Sequence, residues 1–302
     1  MAHRPHNHRV PRTPDKSSTF TVTEPARLLE FVMRCLDGIS RNKAKSILTH
    51  GGAMVDGVVR THVDYELVPG NVVTISRSPR TSATTSPHYR IAYEDQWIVV
   101  VDKAPGVLSM PVGAGSLNMK TLLDRYFAES RQRCTAHVVH RLDCRTSGLM
   151  MYAKDTAIQQ QMQDGWHERV FDRRYVAVVE GTMEQDSGTV SSYLKDNDRN
   201  FKVESSPTDN GGKWAVTHWR LLEQGQRRAL VELQLETGRK NQIRVHMRDI
   251  GHPVAGDGKY GGQEKQGNRL CLHAFKLAFY HPVTGEPLTF ETPIPPLFTK
   301  LL

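Results

Sequence analysis

Three short stretches of this 302-residue chain carry residue types that could do chemistry. In the first, His140-Arg141-Leu142-Asp143-Cys144-Arg145-Thr146-Ser147-Gly148-Leu149, a carboxylate stands between two arginines in a polar run that leads into the apolar LMMYA. Flanking guanidinium groups favour the ionised carboxylate, the form a nucleophile needs. An aspartate in such a stretch can equally be a turn or cap residue. In the second, Thr237-Gly238-Arg239-Lys240-Asn241-Gln242-Ile243-Arg244-Val245-His246, a helix opens directly after a strand. Free backbone N–H groups and the helix dipole make such a start attractive to anions. A plain strand–helix turn is the alternative, and it leaves the crowding of Arg239, Lys240, Arg244 and Arg248 unexplained. In the third, Arg173-Arg174-Tyr175-Val176-Ala177-Val178-Val179-Glu180-Gly181, two arginines and a tyrosine lead a strand. The tyrosine ring could join the core or serve as a stacking plate for a base.

Residues so far apart need a scaffold to meet. Strands are expected at 97–101, 149–153, 174–181, 214–222, 229–236 and 277–282, and helices at 119–130, 155–169 and 240–250. Many strands with few helices, and no βαβ rhythm, imply an α+β fold with a mixed, mainly antiparallel sheet. This domain is expected over 89–302, behind a smaller unit at 25–76. In the small unit Leu28, Phe31, Val32, Cys35 and Leu36 fall at helical spacing. Ser40 is placed to cap a second helix, Asp56-Gly57 to turn a hairpin, and Pro69-Gly70 to lead into the strand NVVTI. Arg41, Lys43 and Lys45 lie on or near that second helix, where they could meet phosphates or simply face solvent. Residues 1–24, rich in Pro, His, Thr and Ser, are expected as a flexible basic tail, and 77–88 as a linker.

Composition narrows the function classes. Lys and Arg number 40 against 32 Asp and Glu, a net charge of +8 that points first to a polyanionic partner such as nucleic acid. No apolar run approaches the roughly 18–20 residues of a membrane span, and the N-terminus has no secretory apolar core. Four scattered cysteines without a C-x-x-C pair imply reduced thiols in a cytoplasmic protein, with no zinc or redox centre. Other motifs fail by spacing. Gly113-Ala114-Gly115 lacks its third glycine at Asn118, and Gly256-Asp257-Gly258-Lys259 lacks the flanks of a phosphate loop. Asp196, Asp198 and Asn200 begin a calcium loop that Phe201 breaks. His137, His140 and Asp143 lack the H-E-x-x-H context, so no metal is expected.

Two resemblances give these patterns a family. The run RLLEFVMRCLDGISRNKAKSILTHGGAMVDGVVRTHVDYELVPGNVVTI resembles an S4 domain, a small α-L RNA-binding module. HRLDCRTSGLMMYAKD, RRYVAVVEG and TGRKNQIRVHM closely resemble the three motif regions of the RluA family of pseudouridine synthases. KAPGVLSMP, GHPVAGDGKYGG and RLCLHAFKLAFYHPVTGEPLTFETPIP extend the likeness over residues 89–298. The resemblance implies an enzyme that isomerises uridine in RNA to pseudouridine without cofactor or metal. It makes Asp143 the nucleophile, Tyr175 the ring against the target uracil and Arg244 the charge partner of the aspartate. Arg141 would fill the space left by the flipped base, and Leu142 would wall the pocket. Arg239 and Lys240, with Arg41, Lys43 and Lys45, would hold RNA phosphates. The family points to large-subunit ribosomal RNA as substrate, with tRNA second; a monomer is expected, though no residue pattern reports the oligomeric state. The rival reading is a non-catalytic RNA-binding protein of ribosome assembly, which would have no need of the Asp143, Tyr175 and Arg244 set. Cys144-Arg145, Ser109-Met110 and Lys240-Asn241 depart from the family pattern. They are expected to bear on substrate choice and to leave Asp143, Tyr175, Arg244 and Arg141 untouched.

Overall fold

Alternating side chains make a strand where the tail was expected. In the computed structural model, which describes residues 17–49, 52–56, 58–60, 63–76, 86–113, 115–197, 199, 201–262 and 269–302, Ser17–Thr21 (β1) are paired. The partner is Val72–Ser76 (β6), antiparallel. Residues 17–24 therefore do not belong to a tail: Phe20 and Val22 pack into the core of the small unit, and that burial outweighs the local Ser/Thr-rich composition. Residues 1–16 of the expected tail lie outside the described residues.

Between these strands the chain forms Ala26–Arg27 (β2), Leu28–Cys35 (α1), Arg41–Thr49 (α2), Ala53–Val55 (β3), Val58–Val59 (β4) and Glu66–Leu67 (β5). The sheet order is β1-β6-β3-β4, and β2 pairs with β5 separately. Leu28, Phe31 and Val32 of α1 share one core with Ala44, Ile47 and Leu48 of α2 and with Val73 and Ile75 of β6. Ser40 caps α2 as expected, its Oγ accepting from the Lys43 N–H at 3.3 Å. Asp56 adopts the left-handed region at φ 51°, and its carboxylate accepts from the Val72 N–H at 2.7 Å. Gly57 of the expected turn lies outside the described residues. So do residues 77–85 of the expected linker, and Ser86 already bridges to Tyr89.

The larger sheet comprises Tyr89–Glu94 (β7), Ile98–Lys103 (β8), His137–Val138 (β9), Ser147–Ala153 (β10), Val170–Glu180 (β11), Ser187–Asn197 (β12), Lys202–Ser206 (β13), Lys213–Gln224 (β14), Arg228–Leu235 (β15), Leu272–Tyr280 (β16) and Pro287–Glu291 (β17). Its order is β13-β12-β14-β15-β11-β16-β10-β8-β7, with β17 on β16 and β9 on β10. Only β10 and β16 run parallel, so the sheet is mixed and mainly antiparallel, as the strand-rich pattern implies. The helices are Met119–Glu129 (α3), Thr156–Asp164 (α4), Trp166–Arg169 (α5), Gln242–Asp249 (α6) and Pro296–Thr299 (α7). The single helix expected over 155–169 is broken at Gly165, which follows α4 and precedes α5. No helix among the described residues is long and apolar enough to cross a membrane.

The centre of the sheet is where the three chemical stretches converge. Ala274 of β16 stands opposite Gly148 of β10 on one side and Tyr175 of β11 on the other. Gly148 has φ +117°, and a Cβ there would lie 2.3 Å from the Ala274 carbonyl oxygen, so only glycine lets the two strands approach. A register shift between Arg174 and Tyr175 marks a bulge that re-aims the tyrosine. α6 packs Ile243 and Met247 onto Trp219, Val231 and Leu233 of β14 and β15, which brings the second stretch to the same place.

Candidate active site

Asp143 sits in the loop ahead of β10, where its carbonyl accepts from the Thr146 N–H at 3.1 Å. Two ties from distant residues hold this loop. Ser109 Oγ donates to the Leu142 carbonyl at 2.7 Å and accepts from the Leu142 N–H at 3.0 Å. Lys103, fully buried at the end of β8, donates to the carbonyls of Ala104, Val107 and Cys144 at 3.0, 2.8 and 3.2 Å. Burial pulls its ammonium down to about 8, against the opposing charge of Asp143.

Arg244, on the first turn of α6, donates from Nη1 to Asp143 Oδ2 at 3.2 Å. The same Nη1 donates to Asn241 Oδ1 at 3.0 Å. Its other edge is engaged by Asp257, with Nε donating to Oδ2 at 2.7 Å and Nη2 to Oδ1 at 2.8 Å. This is a two-point carboxylate grip, the geometry that a guanidinium provides and an ammonium does not. Asp257 has no exposed surface, whereas Asp143 keeps 21% of its side chain exposed. One carboxylate is therefore an internal brace, and the other can be reached from outside. Burial works against the Arg244 charge, but its bonds to Asp257 and the Asp143 charge outweigh this and raise its pKa. Buried Tyr260 backs this arginine, its ring 5.0 Å from the guanidinium and its hydroxyl accepting from Asn241 Nδ2 at 3.0 Å.

The start of α6 is pinned by one side chain. Gln242 Oε1 accepts from the Arg239 N–H at 2.9 Å, and Nε2 donates to the Val216 carbonyl at 2.9 Å, which ties the helix to β14. Asn241, directly before the helix, is left-handed at φ 55°.

Tyr175 faces the same cleft, walled also by Leu142, Leu235 and Leu272. Burial pushes its phenol up, with Arg173 opposing and Asp143 adding to the rise, so the ring is neutral near pH 7. The space in this open cleft is about 60 Å³, small beside the ~300 Å³ of ordinary ligand pockets. Arg141, which is exposed, lines the same cleft.

The chain as a whole is similar to known proteins. The model of the RNA pseudouridylate synthase family matches residues 97–249. The chain is 35% identical over 287 residues to the uncharacterized RNA pseudouridine synthase YlyB of Bacillus subtilis (strain 168), covering 91% of this chain and 93% of the relative. It is 34% identical over 290 residues to ribosomal large subunit pseudouridine synthase D of Vibrio cholerae serotype O1, covering 89% and 88%. The structure of human RNA pseudouridylate synthase domain containing 1 superposes with a TM-score of 0.58 at 28% identity, covering 68% of this chain and 83% of that one. The chain belongs to the RNA pseudouridylate synthase family.

In this RNA pseudouridine synthase, Arg141, Leu142, Asp143, Tyr175, Arg239 and Arg244 line one cleft. Lys240 does not: it pairs with Asp196 at 2.6 Å and lines a neighbouring cavity. Arg41, Lys43 and Lys45 are exposed on α2 of the small unit. Two of the departures from the family pattern stand next to the site residues they leave unchanged. Asn241 hydrogen-bonds Arg244 directly, and Ser109 clamps the residue next to Asp143. Asp257, Asn241, Ser109 and Lys103 were not foreseen as parts of the site. Asp257 carried no signal of its own in GHPVAGDGKYGG; its need for a partner follows from its burial, which only the structure shows.

Proposed function

We propose that this synthase isomerises a uridine of large-subunit ribosomal RNA, with Asp143 as nucleophile. The observation that carries the reading is the Asp143–Arg244 pair, with Arg244 itself held by Asp257. A carboxylate fixed against a guanidinium is held in one orientation, while its partial exposure leaves it open to a nucleotide. The target leaves its stack at a cost of about a few kcal/mol, least in loops, and Arg141 takes the vacated place. Asp143 forms the covalent adduct as the N1–C1′ bond breaks. The uracil turns against the Tyr175 ring, C5 bonds to C1′ as the Asp143–C1′ bond breaks and returns the carboxylate, the C5 proton leaves, and N1 gains a proton. No electrons are transferred overall. The ribosomal assignment rests on relatives named as large-subunit synthases.

The small unit, read as an S4 domain, adds a second hold on the RNA through Arg41, Lys43 and Lys45, and Arg239 and Lys240 add phosphate contacts beside the cleft. The protein would act as a monomer, and four free thiols suit the cytoplasm. The test is tritium release from RNA labelled at uracil C5, using RNA from a strain lacking this gene. The wild-type protein releases label from ribosomal RNA, whereas Asp143→Asn binds the RNA and releases none. Release from tRNA alone would move the substrate, and equal release by both proteins would remove Asp143 from the chemistry.

A further inference from the structure

Beside the catalytic cleft lies a larger concavity of about 300 Å³, five times the roughly 60 Å³ of the cleft itself. Leu194 and Val203 floor it, and Lys195, Lys213, Arg239 and Lys240 surround it, with Asp196 as the single acid. β12, β13 and the start of β14 build one side, where Gly212 presents no side chain. A Cβ at Gly212 would stand 2.8 Å from the backbone carbonyl of Leu194, so the chain passes close behind the groove without a side chain filling it. The start of α6 builds the other side.

The cations differ in how far they are committed. Lys195 Nζ donates to the Asn210 carbonyl at 3.0 Å and so steadies the loop. Lys240 pairs with Asp196, but both are about half exposed, a pairing weak enough to yield to a phosphate. Arg239 is anchored by Nε to the Trp214 carbonyl at 3.0 Å, while its two Nη groups have no partner among the described residues. Lys213 has no hydrogen-bond or ion-pair partner among the described residues and is exposed. Arg239 also lines the catalytic cleft, so the two cavities share one wall.

We propose that this groove is a subsite for the nucleotide next to the flipped uridine, holding its phosphate between Arg239 and Lys213 and its sugar against Leu194 and Val203. A polyanion threaded from the cleft meets Arg239 first and the uncommitted Lys213 beyond it. The groove has the size and the sign of charge for one nucleotide, while the open cleft beside it is the smaller of the two. The proposal deepens the RNA-isomerase reading and rests on it for the ligand class.

The test uses the full-length protein and a 12-nucleotide oligouridine carrying 4-thiouridine. Lys213→Glu weakens binding about tenfold, and Lys213→Ala lowers the slope of log Kd against log salt by about one. Lys300→Glu, the same charge change at an exposed position outside both cavities, shifts affinity less than twofold. Crosslinked peptides include 210–214 and 238–240. Wild-type affinity and salt slope in both Lys213 variants, or crosslinks that miss both peptides, overturn the subsite. These are binding measurements, so they separate the two readings. Tritium release with an unaltered Lys213→Glu affinity removes the groove alone. Groove binding by a protein that releases no tritium removes the isomerase assignment and leaves the groove as an RNA site.

Discussion

Asp257 holds Arg244 at Nε and Nη2, at 2.7 and 2.8 Å, and thereby turns the remaining Nη1 toward Asp143, 3.2 Å away. The orientation of the nucleophile's partner is thus set by an acid that never touches the nucleophile. Asp257→Ala leaves a buried guanidinium with half its partners, an imbalance that costs about 3–5 kcal/mol in comparable buried pairs. Denaturant unfolding measures that loss. Asp257→Asn keeps the shape, so it loses less stability. It still lowers kcat by about 100-fold, as expected for a misplacement near 1 Å, with KM for RNA little changed. An unchanged kcat in Asp257→Asn would falsify the orienting role.

Ser109 is the second device, tied to both backbone groups of Leu142. Ser109→Ala leaves a buried N–H and carbonyl without that partner, at a cost of about 1–3 kcal/mol. Because Leu142 is directly bonded to Asp143, turnover falls as well. The check is tritium release in Ser109→Ala at a temperature where its circular dichroism matches the wild type.

Gly148→Ala forces a methyl into the Ala274 backbone from a left-handed φ. The strands either separate or shift register, and either outcome moves Asp143 relative to Tyr175. The expected result is poor folding, or a folded protein with a lowered melting temperature and no tritium release. A variant with wild-type stability and turnover would show that β10 and β16 do not need this approach.

Three histidines, His246 and His273 buried and His140 half-buried, make stability depend on pH. Burial depresses His140 and His273 to about 3 and His246 to about 4. His140 must also be neutral at Nε2, which accepts from the Met151 N–H at 3.0 Å. The unfolded chain takes up these protons near pH 6.5 and the folded chain does not. Their contribution is therefore complete above about 6.5 and declines as pH falls toward 4, by up to about 1.4 kcal/mol per pH unit per group. Melting curves between pH 7 and 4 should show a steady fall, shallower in His273→Asn. A flat profile would mean the folded protein also binds these protons.

Much of this molecule was legible before any coordinates. Asp143, Tyr175 and Arg244 sit in runs whose residue types are unusual together. Strands such as Ser147–Ala153, buried along their whole length, announce themselves by continuous apolar sequence. The tail boundary, the strand Ser187–Asn197 and the brace at Asp257 were not legible. β12 alternates exposed and half-buried polar residues and is held by β13 and β14 on either side, so its own residues carry little strand signal. A one-dimensional pattern reports how each residue partitions between water and a core, because that preference belongs to the side chain. Which carboxylate reaches which guanidinium depends on where distant loops come to rest, and only the folded chain sets those distances.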